Sequence, residues 1–297
     1  MLHLGSTKLR LQFLAPIRLP RWLGSTFRGG FGRHLRKTIC LHPMRECEDC
    51  TVSEQCLFYL TYQKSYSKRG YAPPPRPLVF VPPFLSKPLE GSGAELEVRL
   101  LMFGDYSKYF PLVLIALQQF GSDGLGDKRH LGQNKFEVAE ARCEFSGKIV
   151  FDGNLVHPSN LKIVDVSNLP RVNGKEFRVR FKTPIDLPEG FPPPPELLLD
   201  LIRHRLILLV NEYGTGEKVP EFSCRGSLMR SEGERHRLVG YGREGRREFW
   251  NCWTGFADYR FEELDRTAQW LLGVGRVLGA GAKSSFGLGF MDIQSLG

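Results

Sequence analysis

Apolar and polar residues alternate along Leu9-Arg10-Leu11-Gln12-Phe13 and again along Phe177-Arg178-Val179-Arg180-Phe181. A period of two marks a half-buried strand. Each run soon meets a proline, Pro16 or Pro184, which cannot donate to a sheet ladder. Helical spacing follows in both places. Leu23, Phe27, Phe31 and Leu35 recur every four residues and predict a helix over Arg21–Thr38. Pro195–Glu212, dense in Leu and Ile, predicts a second. Between them, Glu95–Phe103 reads as a strand, Tyr109–Phe120 as a helix, and Asn134–Phe145 with Lys148–Val156 as paired strands. Further on, Phe261–Val277 reads as a helix and Phe286–Ile293 as a final strand. The Pro-rich stretches Ala72–Pro83 and Pro184–Pro195 read as linkers or rigid loops.

The two alternating runs share more than a period. Aligned without gaps, Leu9–Pro20 and Phe177–Pro188 are identical at six of twelve positions, at an offset of 168 residues. An offset that long implies a duplicated domain, because solenoid repeats recur every ~20–50 residues. Strand, turn, helix and further strands, twice over, predict an α+β fold of two tandem ferredoxin-like domains, 1–165 and 170–297. A length of 297 residues accommodates two such domains.

Composition sharpens the partner. With 41% hydrophobic and 25% charged residues, the chain can bury a core. No run of about 18 apolar residues predicts a membrane span, and no secretory signal is evident. The net charge of +9 is concentrated. Met1–Thr38 carries Lys8, Arg10, Arg18, Arg21, Arg28, Arg33, Arg36 and Lys37 with no acidic residue. This could be a transit peptide, but the segment is half of the repeat. Arg225–Arg247 carries seven Arg against three Glu. Tyr241 lies within that block and Trp250 just beyond it. Two basic blocks point to a polyanion, with nucleic acid first and an acidic membrane surface second.

Four of the seven cysteines, Cys40, Cys47, Cys50 and Cys56, fall within 17 residues as C-x6-C-x2-C-x5-C. Their neighbours are polar, and clustered thiols in a reducing compartment bind metal more often than they form disulfides. Four thiolates suit structural Zn(II), with an iron–sulfur cluster as the alternative. His42 could replace a thiol, but it precedes Pro43 and reads as a loop residue. Near the C-terminus, Gly279, Gly281, Gly287 and Gly289 surround Lys283, Ser284 and Ser285. Glycines let a backbone approach phosphate closely, and consecutive N–H groups form an anion nest. Neither a Walker loop nor a dinucleotide loop fits, because the order here is helix, glycines, strand. A glycine-rich turn with no ligand is the plainer alternative.

LPRWLGSTFRGGFGRHLRKTIC, the four-Cys segment ending in Cys56-Leu57-Phe58-Tyr59, LEVRLLMFGDYSKYFPLVLIALQQFGSDGLG and LGAGAKSSFGLGF together resemble a known family. It is the CRISPR repeat-processing endoribonucleases of the RAMP superfamily, in a branch with a Cys-rich insert, here residues 40–56. The resemblance implies two ferredoxin-like domains and a cytoplasmic prokaryotic protein. Its partner would be CRISPR repeat RNA, cut once per repeat and held as crRNA. Cleavage would need no cofactor: the ribose 2′-OH attacks the adjacent phosphate to leave a 2′,3′-cyclic phosphate, helped by a base, an acid and cations.

The family's general base is often a His on or after the first helix, which implies His34, with His42 and His236 as runners-up. Yet His34 falls on the apolar arc of its predicted helix, as a packed side chain would. Arg28, Arg33, Arg36, Lys37, Arg235, Arg237, Arg243, Arg246 and Arg247 would contact RNA together with the glycine loop. Two other readings stay open. One is a non-catalytic RAMP subunit that binds crRNA among CRISPR effector subunits. The other is a zinc-stabilised module for DNA or a protein partner.

Overall fold

The computed structural model describes residues 1–70, 73–126, 131–187, 189–241 and 247–297. The strands are β1 (His3–Phe13), β2 (Ile17–Leu19), β3 (Leu78–Val81), β4 (Leu89–Gly91), β5 (Glu95–Phe103), β6 (Phe136–Cys143), β7 (Ile149–Phe151), β8 (Val164–Asp165), β9 (Glu176–Asp186), β10 (Cys224–Tyr241), β11 (Arg247–Leu264) and β12 (Met291–Ser295). The α-helices are α1 (Gly24–Ile39), α2 (Phe110–Asp123), α3 (Pro195–Tyr213) and α4 (Arg266–Leu278). The chain divides into two compact units, His3–Val164 and Met1–Leu2 with Asp165–Gly297. No helix among the described residues is long and apolar enough to cross a membrane.

In the N-terminal unit the sheet runs β3-β5-β1-β6-β7, and its first four strands pair antiparallel. With α1 and α2 this is the βαββαβ order of a ferredoxin-like fold. Leu9, Leu11 and Phe13 of β1 point inward while Lys8 and Arg10 are exposed, as the alternation predicts. A cluster of phenylalanines fills the space between helices and sheet. Phe27 lies 5.1 Å from Phe80 and 5.5 Å from Phe120, and Phe120 lies 5.4 Å from Phe136. These rings meet at tilted or edge-on angles, the arrangement that aromatic quadrupoles favour. Strand β3 lies inside Ala72–Pro83, so that stretch is not simply a linker. Its prolines flank a four-residue edge strand rather than interrupting one.

In the C-terminal unit the sheet order is β10-β11-β9-β12, with α3 and α4 completing a second βαββαβ set. Phe177, Val179 and Phe181 are buried. Ile293 pairs with Val179 and meets α4 at Gly275, which fixes this as the helix-covered side. Arg178, Arg180 and Lys182 alternate onto the other side. The helix expected from Phe261 begins at Arg266 instead. Phe261 to Leu264 still pair within the sheet, and the Asp265 side chain accepts from the Ala268 N–H at 2.6 Å, capping α4. Arg225–Tyr241 lies in β10, which pairs antiparallel with β11 as far as Tyr241 and Arg247 to make a hairpin. β9 pairs with β11 only from Cys252 onward, so beyond that point the hairpin is a two-stranded ribbon.

Candidate nucleic-acid interface

The first-helix histidine is a packed side chain. His34 Nδ1 faces the Gly30 carbonyl at 2.8 Å, and Nε2 faces Asp123 Oδ2 at 2.8 Å. Its ring stacks on Phe120 at 5.3 Å and is 2% exposed. The ring is thus engaged at both nitrogens. The His34 hydrogen bond holds the Asp123 carboxyl below the usual carboxylate range against the opposing effect of burial. His42 is exposed in the segment after α1. His236 is buried on β10, with Nε2 2.7 Å from Thr254 Oγ1 and Nδ1 3.6 Å from Glu234. His34 and His42 therefore belong to one unit and His236 to the other.

The basic residues of α1 divide by burial. Arg28 is not a free phosphate contact. Its guanidinium stacks 4.7 Å from the Tyr62 ring, and Nη2 donates to the Thr61 carbonyl at 3.4 Å. Tyr62 Oη donates back to the Arg28 carbonyl at 3.0 Å. Burial pushes the Arg28 pKa down and that of Tyr62 up to about 12. Arg36 is half-buried, 5.7 Å from the Phe58 ring, with Nη2 3.5 Å from the Pro43 carbonyl. Arg33 and Lys37 are exposed. Their four-residue spacing puts them on one helix face.

All four loop glycines have left-handed backbones: Gly279 at φ 73°, Gly281 at 79°, Gly287 at 79° and Gly289 at 77°. The two outer ones close the loop. A Cβ on Gly289 would stand 1.9 Å from the Ala280 carbonyl oxygen, and one on Gly279 would stand 2.5 Å from that of Gly289. The N–H groups of Ala280 and Gly289 donate to Gly289 and Pro184. Lys283 sits at the turn with φ 57°, its Nζ 2.9 Å from Asp186 Oδ2 and 5.3 Å from the Trp250 ring. Phe286 packs on Trp250 at 4.8 Å. The loop therefore covers one face of the hairpin, and Lys283 is partly neutralised. Ser284 and Ser285 are half-buried.

Arg235 and Arg237 are exposed and alternate with buried His236 and Leu238. Trp253, the register partner of Arg235, stacks on Phe191 at 5.9 Å and 18°. Arg243 and Arg246 lie outside the described residues, as does the Arg247 side chain.

On the face of the C-terminal sheet away from its helices, three cations meet one aromatic ring. Around Phe256 stand the guanidiniums of Arg178 at 4.6 Å, Arg230 at 5.5 Å and Arg180 at 5.7 Å. Arg178 is also held by two hydrogen bonds to Asp258, at 2.7 and 2.8 Å. That contact raises the Arg178 pKa and lowers that of Asp258. Arg180 is exposed. The polar half of the Phe177–Phe181 alternation carried the signal for this patch, but the residues that complete it come from β10 and β11.

Among the described residues, no group of three or more His, Cys, Asp or Glu side chains is gathered to hold a metal ion. All seven cysteines are free thiols.

A family model described as the AF_1859 N-terminal domain matches residues 2–161, and one described as the AF_1859 C-terminal domain matches residues 177–293. The chain belongs to the AF_1859 family. An uncharacterized protein of Archaeoglobus fulgidus is 39% identical to this family member over 302 residues, with 99% of each chain covered. Among solved structures, a Thermus thermophilus Cas6 matches it with a TM-score of 0.53 at 17% identity, over 99% of both chains. A CRISPR-associated protein Cas6 matches at 0.51 and 13% identity, over 97% of this chain and 98% of that one. At these identities the likeness is one of fold: this AF_1859 family member has the two-domain architecture of Cas6.

Proposed function

We propose that the protein binds CRISPR repeat RNA and processes the precursor transcript, as its Cas6 architecture suggests. The observation that carries the binding is Phe256 ringed by Arg178, Arg180 and Arg230 on the sheet face away from the helices. A half-buried ring on a sheet, such as Phe256, still offers a base part of a stacking surface, and guanidiniums beside it take phosphates or stack in turn. The glycine loop, with Ser284 and Ser285 on its half-buried turn, is a second candidate contact for phosphate.

In the proposed reaction the 2′-oxygen forms a bond to phosphorus as the bond to the 5′-oxygen breaks. The 2′-OH proton goes to a base, and the leaving oxygen takes one from an acid. His34 can serve as that base only after leaving Asp123. Its double engagement favours a second reading, in which the protein holds crRNA as a non-cleaving RAMP subunit alongside CRISPR effector subunits.

Labelled repeat RNA incubated with the protein in EDTA separates the two. Processing gives one cut per repeat with 2′,3′-cyclic phosphate and 5′-OH ends, and His34→Ala abolishes it. RNA that is bound but left intact establishes the non-cleaving reading. Preference for a DNA duplex of equal length over repeat RNA overturns both, in favour of a DNA-binding module.

A further inference from the structure

The hydrogen-bond register of the C-terminal sheet fixes the neighbours of Phe256. Glu232 of β10 is its direct partner on one side and Arg180 of β9 on the other. Directly paired residues project from the same face, with Cβ atoms about 5 Å apart. Gly233, one residue further along β10, faces the helix-covered side. A Cβ there would stand 2.5 Å from the ring of Phe191, which packs on buried Phe181 at 5.7 Å. Glu232 therefore projects with Phe256, away from the helices.

The strand β10 is the outer strand of this sheet, so Glu232 stands at its rim. Its side chain is exposed and, among the described residues, makes no ion pair or hydrogen bond. Two other carboxylates on this face are engaged. Asp258 is buried and held by Arg178, and Asp292 accepts from Gln294 Nε2 at 2.8 Å. A free carboxylate beside three guanidiniums works against a surface that takes phosphate, because it repels the backbone. No contact among the described residues accounts for it.

We propose that Glu232 makes the Phe256 patch selective for guanine, which rests on the reading of this face as a surface for single-stranded RNA. A base stacked on Phe256 turns its Watson–Crick edge toward the rim when its sugar and phosphate lie over Arg178 and Arg180 on β9. Guanine presents two adjacent donors on that edge, N1–H and N2–H, which match the two oxygens of a carboxylate. Beside them O6 accepts, and Arg230, two residues before Glu232 and 5.5 Å from the ring, is a donor. Cytosine and adenine set their single amino donor next to a ring nitrogen that repels a carboxylate. Uracil flanks its one donor with two carbonyls. Each of these edges leaves an oxygen of Glu232 without a partner.

The test is binding of short oligouridines that carry one central guanosine, inosine, cytidine or adenosine, read by fluorescence anisotropy with the full chain. Guanosine should bind about tenfold more tightly than cytidine or adenosine. Inosine, which lacks the N2 amino group, should lose most of that gain. Glu232→Ala should reduce the preference to less than about twofold. It should also bind plain oligouridine more tightly than the unaltered protein, because a repelling charge is gone. A structural role for Glu232 would move neither readout in this direction. Equal affinities for the four oligomers, tightest binding of another base, or a guanosine preference that survives Glu232→Ala would each overturn the proposal while leaving RNA binding intact. Failure to bind any of the oligomers overturns the RNA reading itself, and the guanine selectivity with it.

Discussion

At the scale of single residues, burial decides roles that spacing alone left open. The position of His34 on the apolar arc of α1 was legible in the sequence. Its partner was not, because Asp123 lies 89 residues away at the end of α2. The Asp123 carboxyl is held low in the folded chain, as is that of Asp258 beside Arg178. A depressed carboxylate contributes stability above its unfolded pKa of about 3.9 and loses it as pH falls through the folded value. The melting temperature should therefore drop as pH falls below about 4. Asp123→Asn should flatten part of that drop while costing only ~0.2–1 kcal/mol at neutral pH, since the carboxylate is half exposed. A Tm series against pH for both proteins checks this, and parallel curves would contradict it. Gly30 supplies a steric counterpart. A Cβ there would stand 2.3 Å from the Phe120 ring, which is itself buried. Gly30→Ala should destabilise by about 1–3 kcal/mol, read by urea denaturation, although alanine is the better helix former.

At the scale of elements, alternation and helical spacing located most strands and helices, because one-sided burial writes its period into the chain. The exceptions have physical causes. Arg225–Arg247 looked like a basic segment, and its strands became visible only through their register with β11, where Leu238 faces Trp250 and His236 faces Cys252. The start of α4 was displaced by a cap, Asp265, that outweighs the apolar run before it. Among candidate contacts, the sequence singled out the first helix, the Arg225–Arg247 block and the glycine loop. The structure packs Arg28, half-buried, against Tyr62, and it gathers Arg178 and Arg180 of β9 and Arg230 of β10 around Phe256 of β11. On this face the contributions to RNA binding should separate. Phe256→Ala should weaken single-stranded repeat RNA by ~1–3 kcal/mol with the salt dependence unchanged, because stacking releases no counterions. Arg180→Ala should lower the slope of log K against log salt by about 0.7. Fluorescence anisotropy titrations at several salt concentrations measure both. Equal slopes for Arg180→Ala and the unaltered protein would remove Arg180 from the interface.

At the scale of the whole molecule, the repeat of six identities in twelve proved to mark equivalent places. Leu9–Phe13 lies in β1 and Phe177–Phe181 in β9, each an interior strand at the same point of its sheet order. Of the six identities, Phe13/Phe181, Ile17/Ile185 and Leu19/Leu187 are buried in both copies. The exact division was not readable, because it depends on contacts distant in sequence. Met1 and Leu2 belong to the C-terminal unit, where Leu2 is fully buried and its carbonyl accepts from the Val166 N–H at 2.9 Å. This has a consequence for fragments. Residues 165–297 hold a complete βαββαβ set with its own helices and should fold cooperatively when expressed alone. They should be less stable than the same unit in the full chain, since Val166 loses an acceptor and the Leu2 site is vacated, together worth about 2–4 kcal/mol. A synthetic peptide of the first two residues is too short to restore this. Linking Met1–Leu2 through a flexible tether to residue 165 should restore it. Denaturant melts of the fragment with and without the tethered dipeptide decide the point. Identical midpoints would mean that the first two residues contribute nothing to the C-terminal unit.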